Sequence, residues 1–185
     1  ASGASPAAWL VYHASVAADA ETDYLMLHST AAAADEVSVW DDTAPTSTVF
    51  TVGSGFTTAT YGTSQIAYCF AEVEGYSKFG SYTGNGSTDG PFVYCGFRPA
   101  WVMVKRTDDT GNWQILDTTR SPHNVSNHNL YANLSNAEVA GGNEDMDILS
   151  NGWKPRNASA SFNVSSATYI YMAFAETPFK YANAR

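Results

Sequence analysis

Apolar residues in this chain arrive in short bursts, and turn residues cut each burst off. Trp9–His13, Tyr24–His28, Thr48–Val52, Gln65–Val73, Phe92–Cys95, Ala100–Arg106, Trp113–Asp117 and Thr168–Ala175 are rich in Val, Ile, Tyr, Phe and Trp. Clusters of Thr, Gly, Asn and Asp separate them. Such runs suit the pleated, half-buried surface of a strand. Thr107–Asn112 joins two of them and predicts a hairpin loop. Asn85-Gly86 and Asn151-Gly152 predict turns, because both residue types tolerate positive φ. Helical signal is thin. Ala-rich Thr30–Glu36 predicts one short turn, and Ser135-Asn-Ala-Glu138 fits a capping box. The pattern predicts an all-β fold, a sandwich or barrel.

The chain also repeats itself. A shift of 104 residues lays Trp9-Leu-Val-Tyr over Trp113-Gln-Ile-Leu, and Phe70-Ala71-Glu72 over Phe174-Ala175-Glu176. A shift of 105 lays Leu25-Met-Leu-His-Ser-Thr over Leu130-Tyr-Ala-Asn-Leu-Ser. Tyr76 then answers Phe179. The matched positions are mostly apolar, so a core is what is duplicated, with Trp9/Trp113 and Phe70/Phe174 as its anchors. The copies are unequal. The second has a front portion, Tyr82–Asn112, and the first has only eight residues ahead of Trp9. Three segments follow: 1–8, a linker or trimmed end; 9–81, an incomplete first repeat; 82–185, a complete second repeat. A sheet short of edge strands associates readily, so the first copy is expected to lean on the second or on a neighbouring subunit.

Composition narrows the classes. The net charge is −9, with 9 basic and 18 acidic residues. Nucleic-acid binding needs a positive stripe that displaces counterions, which argues against that role. No apolar run reaches the roughly 18 residues of a membrane span. Aromatics at 14% argue against disorder. Cys69 and Cys95 lie in apolar runs, which predicts two buried free thiols rather than a disulfide. The sequons at Asn85, Asn124, Asn133, Asn157 and Asn163 fit the abundance of Asn and Ser without glycosylation.

Tyr82-Thr-Gly-Asn-Gly, Gly96-Phe-Arg-Pro, the Val/Met strand ending in Lys105-Arg106, Asn112-Trp113 and the closing Tyr-x-x-Phe-Ala-Glu together resemble a tandem-repeat β domain of tailed bacteriophages, marine and cyanobacterial ones especially. The resemblance implies a jelly-roll-like β-sandwich, similar to concanavalin-like lectins. It implies a non-enzymatic virion structural protein of the tail-fibre or adhesin kind, assembled in the host cytoplasm and exposed outside it. Its partners would be other virion proteins, further copies of itself as a homo-oligomer, and a host-surface polysaccharide. A capsid decoration or cement protein is the alternative. In that family the front motif precedes each copy, and here the first copy lacks it.

Candidate chemistry is sparse. Glu72 and Glu74 sit two apart on an expected strand, on the order of 7 Å apart on one face, a pairing that would suit a carbohydrate-active enzyme. The second copy keeps only Glu176; Glu74 falls opposite Pro178. His123 and His128 lack a zinc spacing. Gly84-Asn-Gly86 and Gly53-Ser-Gly55 lack a phosphate-loop lysine and predict turns. No catalytic residue and no metal ligand is assigned. Calcium is the one cofactor the acids allow, through Asp41-Asp42, Asp108-Asp109 or Glu144-Asp145-Met-Asp147. Trp40, with Asp41 and Asp42, forms the candidate ligand site, where a sugar ring would stack on the indole. Trp153, beside a turn, is a weaker one.

Overall fold

A computed structural model describes residues 8–53, 65–142 and 144–177. In chain order its first elements are β1 (Leu10–Val11), β2 (Asp23–Met26), β3 (Ala34–Asp35) and a single-turn helix α1 (Val37–Trp40). Then come β4 (Ser77–Thr83), β5 (Val93–Tyr94), β6 (Pro99–Arg106), β7 (Gln114–Asp117) and β8 (His128–Tyr131). The last are β9 (Val139–Ala140), β10 (Met146–Leu149), β11 (Gly152–Pro155) and β12 (Thr168–Ala175). The fold is nearly all β. One antiparallel sheet of six strands runs β4-β12-β6-β7-β8-β9, flanked by sheets of three, β10-β11-β5 and β1-β2-β3.

Alternation along the central strands sends side chains to both faces, and both faces carry apolar residues. Tyr169, Tyr171 and Ala173 of β12, with Val102 and Val104 of β6, point to the first face. There they meet Val93, Ile148 and Trp153 of the β10-β11-β5 sheet, plus Phe162 from the loop before β12. The Tyr82 ring stacks on Tyr169 at 4.9 Å and meets Trp153 edge-on at 5.1 Å. Trp153 is wholly buried, so its expected place beside a turn, open to a sugar, is corrected: it is the centre of this core.

The front motif closes that core. The Tyr82 hydroxyl donates to the Phe162 carbonyl at 2.6 Å. Gly84 and Gly86 donate backbone N–H groups to Ala167 and Asn163. A Cβ on Gly84 would lie 2.1 Å from the Val164 oxygen, so only glycine fits. Asn163 is the hub. Its buried amide donates to Asn85 Oδ1, the Ser87 carbonyl and the Asn157 carbonyl, and accepts from the Asn85 N–H.

The second face is covered by the N-terminal residues. Leu25, Val11, Val16, Leu27 and Ala33 pack on Trp113, Ile170 and Met103. The Trp113 indole N–H donates to the Met26 carbonyl at 3.0 Å. Ala33 donates to the Thr107 carbonyl, and Gly111 to that of Thr30. Lys105 is sealed beneath this layer with no exposed surface; its ammonium donates to the carbonyls of Thr30 and Arg106.

Pairing in the N-terminal sheet recurs further along the chain. Leu10 faces Met26 and Val11 faces Leu25; 104 and 105 residues on, Gln114 faces Tyr131 and Ile115 faces Leu130. Asp23–Asp35 and Tyr24–Ala34 are answered by His128–Ala140 and Asn129–Val139. The Trp9 N–H is capped by His28 Nδ1, and the Trp113 N–H by Asn133 Oδ1. The Trp9 carbonyl accepts from Leu27, and the Trp113 carbonyl from Ala132.

Several expectations are corrected. Trp9 and Phe70 are 52% and 59% exposed, Phe174 is half-buried and Trp113 is buried; of the four expected anchors only Trp113 is core. Thr48–Val52 and Gln65–Val73 carry the composition of strands but form none, since among the described residues no strand ladder runs alongside them; Val73 makes a single bridge to Ser77. Cys69 is consequently exposed, and Cys95 alone is a buried thiol. Ser135–Glu138 opens no helix: Glu138 binds Arg120 and His128 instead of a backbone N–H. Thr30–Glu36 forms β3 rather than a helical turn; the helix starts at Val37, capped by the Glu36 carboxylate on the Ser38 N–H. The linker residues 1–7, Phe179, Pro178 and the end of the second repeat lie outside the described residues, as do Ser54 and Gly55.

Candidate interaction surface

The most unusual surface follows from the strand that does not form. Residues 65–72 are all exposed, and among them Ile66, Tyr68 and Phe70 show 74%, 68% and 59% of their area. Large apolar groups displayed together mark a contact surface rather than ordinary exposure. The strip is anchored at two points. Tyr68 stacks on Trp9 with centroids 6.3 Å apart. Phe70 meets Phe79 of β4 and Phe174 of β12 at 6.3 and 6.0 Å, so the two phenylalanines matched in sequence touch in space. Tyr76 and Trp101 complete the cluster around Phe174.

Glu72 closes one end of the strip. Its carboxylate takes the Lys78 ammonium at 2.9 Å and the Phe79 N–H at 3.3 Å. Glu72 and Glu74 do not share a strand face, because Val73 makes only an isolated bridge to Ser77 and the chain turns at once. The spacing expected for an acid–base pair therefore lacks the strand it was derived from.

Trp40 ends α1. Its indole N–H donates to the Asp23 carbonyl at 3.0 Å, and its ring meets Tyr12 edge-on at 6.0 Å. Asp41 and Asp42 follow, both exposed and both at positive φ. Trp40 thus fastens the helix to β2. Asp108 is engaged by Arg106 at 2.9 Å, which holds its carboxyl below the usual range. Asp147 pairs with Arg156. Among the described residues no three His, Cys, Asp or Glu side chains converge as a metal ion needs. His128 sits on β8 with Nδ1 2.7 Å from Glu138, and that bond holds the Glu138 carboxyl low.

Two recesses complete the surface. One, of about 320 Å³, lies between Gly96–Arg98 and Ala175–Thr177. The other, of about 420 Å³, is lined by Ser15–Ala18, Ser81–Thr83, Thr107 and Thr168. Burial pushes the Lys105 ammonium down to about 8 and the Cys95 thiol up to about 12. His13 is held neutral by burial; its Nε2–H donates to the Tyr171 carbonyl while Nδ1 accepts the Ser15 N–H. Sequence reasoning missed Asn163 and Lys105. The first looked like a sequon, and the second like the polar end of a strand.

The chain belongs to the DUF7483 family, a domain of unknown function, which matches it over residues 2–178. No curated protein and no solved structure matches it. Among the described residues no helix is long and apolar enough to cross a membrane.

Proposed function

We propose that this DUF7483 domain is a non-enzymatic structural module of a phage virion, serving assembly of a tail fibre or similar surface appendage. The observation that carries the reading is the uncharged aromatic strip Ile66–Phe70 held open beside Trp9. A chain of net charge −9 is repelled by acidic neighbours, and an uncharged apolar strip is where contact remains favourable. The resemblance of the Tyr82-Thr-Gly-Asn-Gly and Gly96-Phe-Arg-Pro motifs to phage repeats supplies the setting. In this structure those motifs build core closure, which suits a scaffold.

Gold-labelled antibody on purified virions tests the proposal. Label along an appendage is the expected result. Label on the capsid shell overturns the placement in favour of decoration, and absence of the protein from particles overturns the virion role. Release of reducing sugar from host polysaccharide, lost when Glu72 and Glu74 become Gln, overturns the non-enzymatic reading.

A further inference from the structure

The sheet face beneath the N-terminal layer turns from apolar to hydroxylic at one margin, where it borders a recess. We infer that this recess binds an uncharged, hydroxyl-rich ring, a neutral sugar unit. The inference goes beyond the assembly reading and does not depend on it.

The site follows from strand register. Ser81 of β4 stands opposite Ile170 of β12, which belongs to the apolar layer with Leu25 and Trp113. Two residues further along, on the same face, Thr83 stands opposite Thr168. Thr107, directly after β6, donates its backbone N–H to the Thr168 carbonyl, and the two threonine hydroxyls meet at 2.7 Å. Three threonines thus lie side by side across the sheet, with Ser81 one pleat away. The loop Ser15–Ala18 forms the opposite wall of the recess, which holds about 420 Å³. His13 pins that loop: its Nδ1 accepts the Ser15 N–H while its Nε2–H donates to the Tyr171 carbonyl of β12.

The lining selects the ligand. The volume falls within the roughly 300–1,000 Å³ of small-molecule sites. Among the described residues no charged side chain lines the recess, so an ion would shed water there without meeting a counter-charge. The hydroxyls of Ser15, Ser81 and Thr83 have no hydrogen-bond partner among the described residues. Each can donate and accept, which matches a ligand whose own groups do both. Facing positions on paired strands lie roughly 5 Å apart, close to the separation of alternate hydroxyls around a pyranose ring. Val16, Ala17 and the threonine methyls offer apolar surface to the ring's C–H groups.

Amide NMR spectra of the full chain, titrated with sugars, test this. The probes are the methyl glycosides of glucose, galactose and mannose, the uncharged trisaccharide of each, and the charged glucuronate. Saturable shifts of the Ser81, Thr83, Thr107 and Thr168 amides are expected with a neutral probe. A trisaccharide that binds more tightly than its monosaccharide supports the proposal with a glycan chain as the source; equal binding supports it with a free sugar. The double change Ser81→Ala and Thr83→Val should weaken binding about ten-fold. Both side chains are exposed, so the wild-type melting temperature should persist. Thr83→Ser, which keeps the hydroxyl, should bind as the wild type does. No saturation by about 10 mM with any neutral probe, undiminished binding by the double variant, or tighter binding of glucuronate than of the glucoside overturns the proposal.

Discussion

Replacing Lys105 with Met should remove a pH dependence of stability that the wild type shows. The ammonium is fully buried with only two carbonyl partners. Burial first, then the Arg106 charge, pulls it from 10.5 down to about 8, against the opposing pull of Asp108 and Asp109. That gap corresponds to at most about 3 kcal/mol of cost for keeping the charge inside. The sign follows from proton counting. Between about 8 and 10.5 the unfolded chain holds the proton and the folded chain has released it. Wild-type stability therefore gains as pH rises through this window and is lost as pH falls back towards 8. Lys105→Met removes the cost and also two hydrogen bonds of about 1 kcal/mol each. At pH 7 the variant should be more stable by about 1–2 kcal/mol. By pH 10.5 that lead should vanish and reverse, as the difference moves by about 3 kcal/mol. Urea unfolding of both chains from pH 6.5 to 10.5 reads this out, and tyrosine ionisation cancels in the difference. A difference that stays flat across the range refutes a buried charge at position 105.

Other outcomes follow from the same contacts. Acidification should loosen the N-terminal layer: His13 has a lowered pKa, so its contribution is complete above about 6.5 and is lost as pH falls below that. Melting temperatures at pH 7.5 and 5 should show a smaller acid loss for His13→Asn. Asn163→Ala should cost about 2–4 kcal/mol in denaturant unfolding, because four hydrogen bonds of a buried side chain go at once. A thiol reagent should modify Cys69 in the folded chain and leave Cys95 untouched until urea is added, since Cys95 is buried with its pKa raised to about 12.

Strands with apolar residues on both faces were legible from composition. Ala100–Arg106, Trp113–Asp117 and Thr168–Ala175 became β6, β7 and β12, nearly residue for residue. Gln65–Val73 has the same composition and forms no strand, because a strand exists only where a neighbouring strand supplies a ladder of hydrogen bonds. The converse error was β4. Ser77–Thr83 carries Lys, Gly and two Ser, yet it pairs with β12 over seven residues. Its edge position tolerates polar residues facing water, which hides it from a search for apolar runs. Trp153 looked like a loop residue because Asn151 and Gly152 precede it. A two-residue turn put it straight into the core, and Gly152 is there because a Cβ would strike the Val93 oxygen. The internal repeat was readable as matched residues. That the pairings Leu10–Met26 and Val11–Leu25 recur as Gln114–Tyr131 and Ile115–Leu130 needed the pairing register.

Residue-resolved hydrogen exchange tests the open aromatic strip most directly. The amides of Ile66–Phe70, exposed and outside any strand, should exchange within seconds. Those of Gln114, Leu116 and Ile170–Phe174, one repeat further on and paired on both sides, should be protected by orders of magnitude. Equal protection of the two sets would contradict an open strip and with it the contact surface.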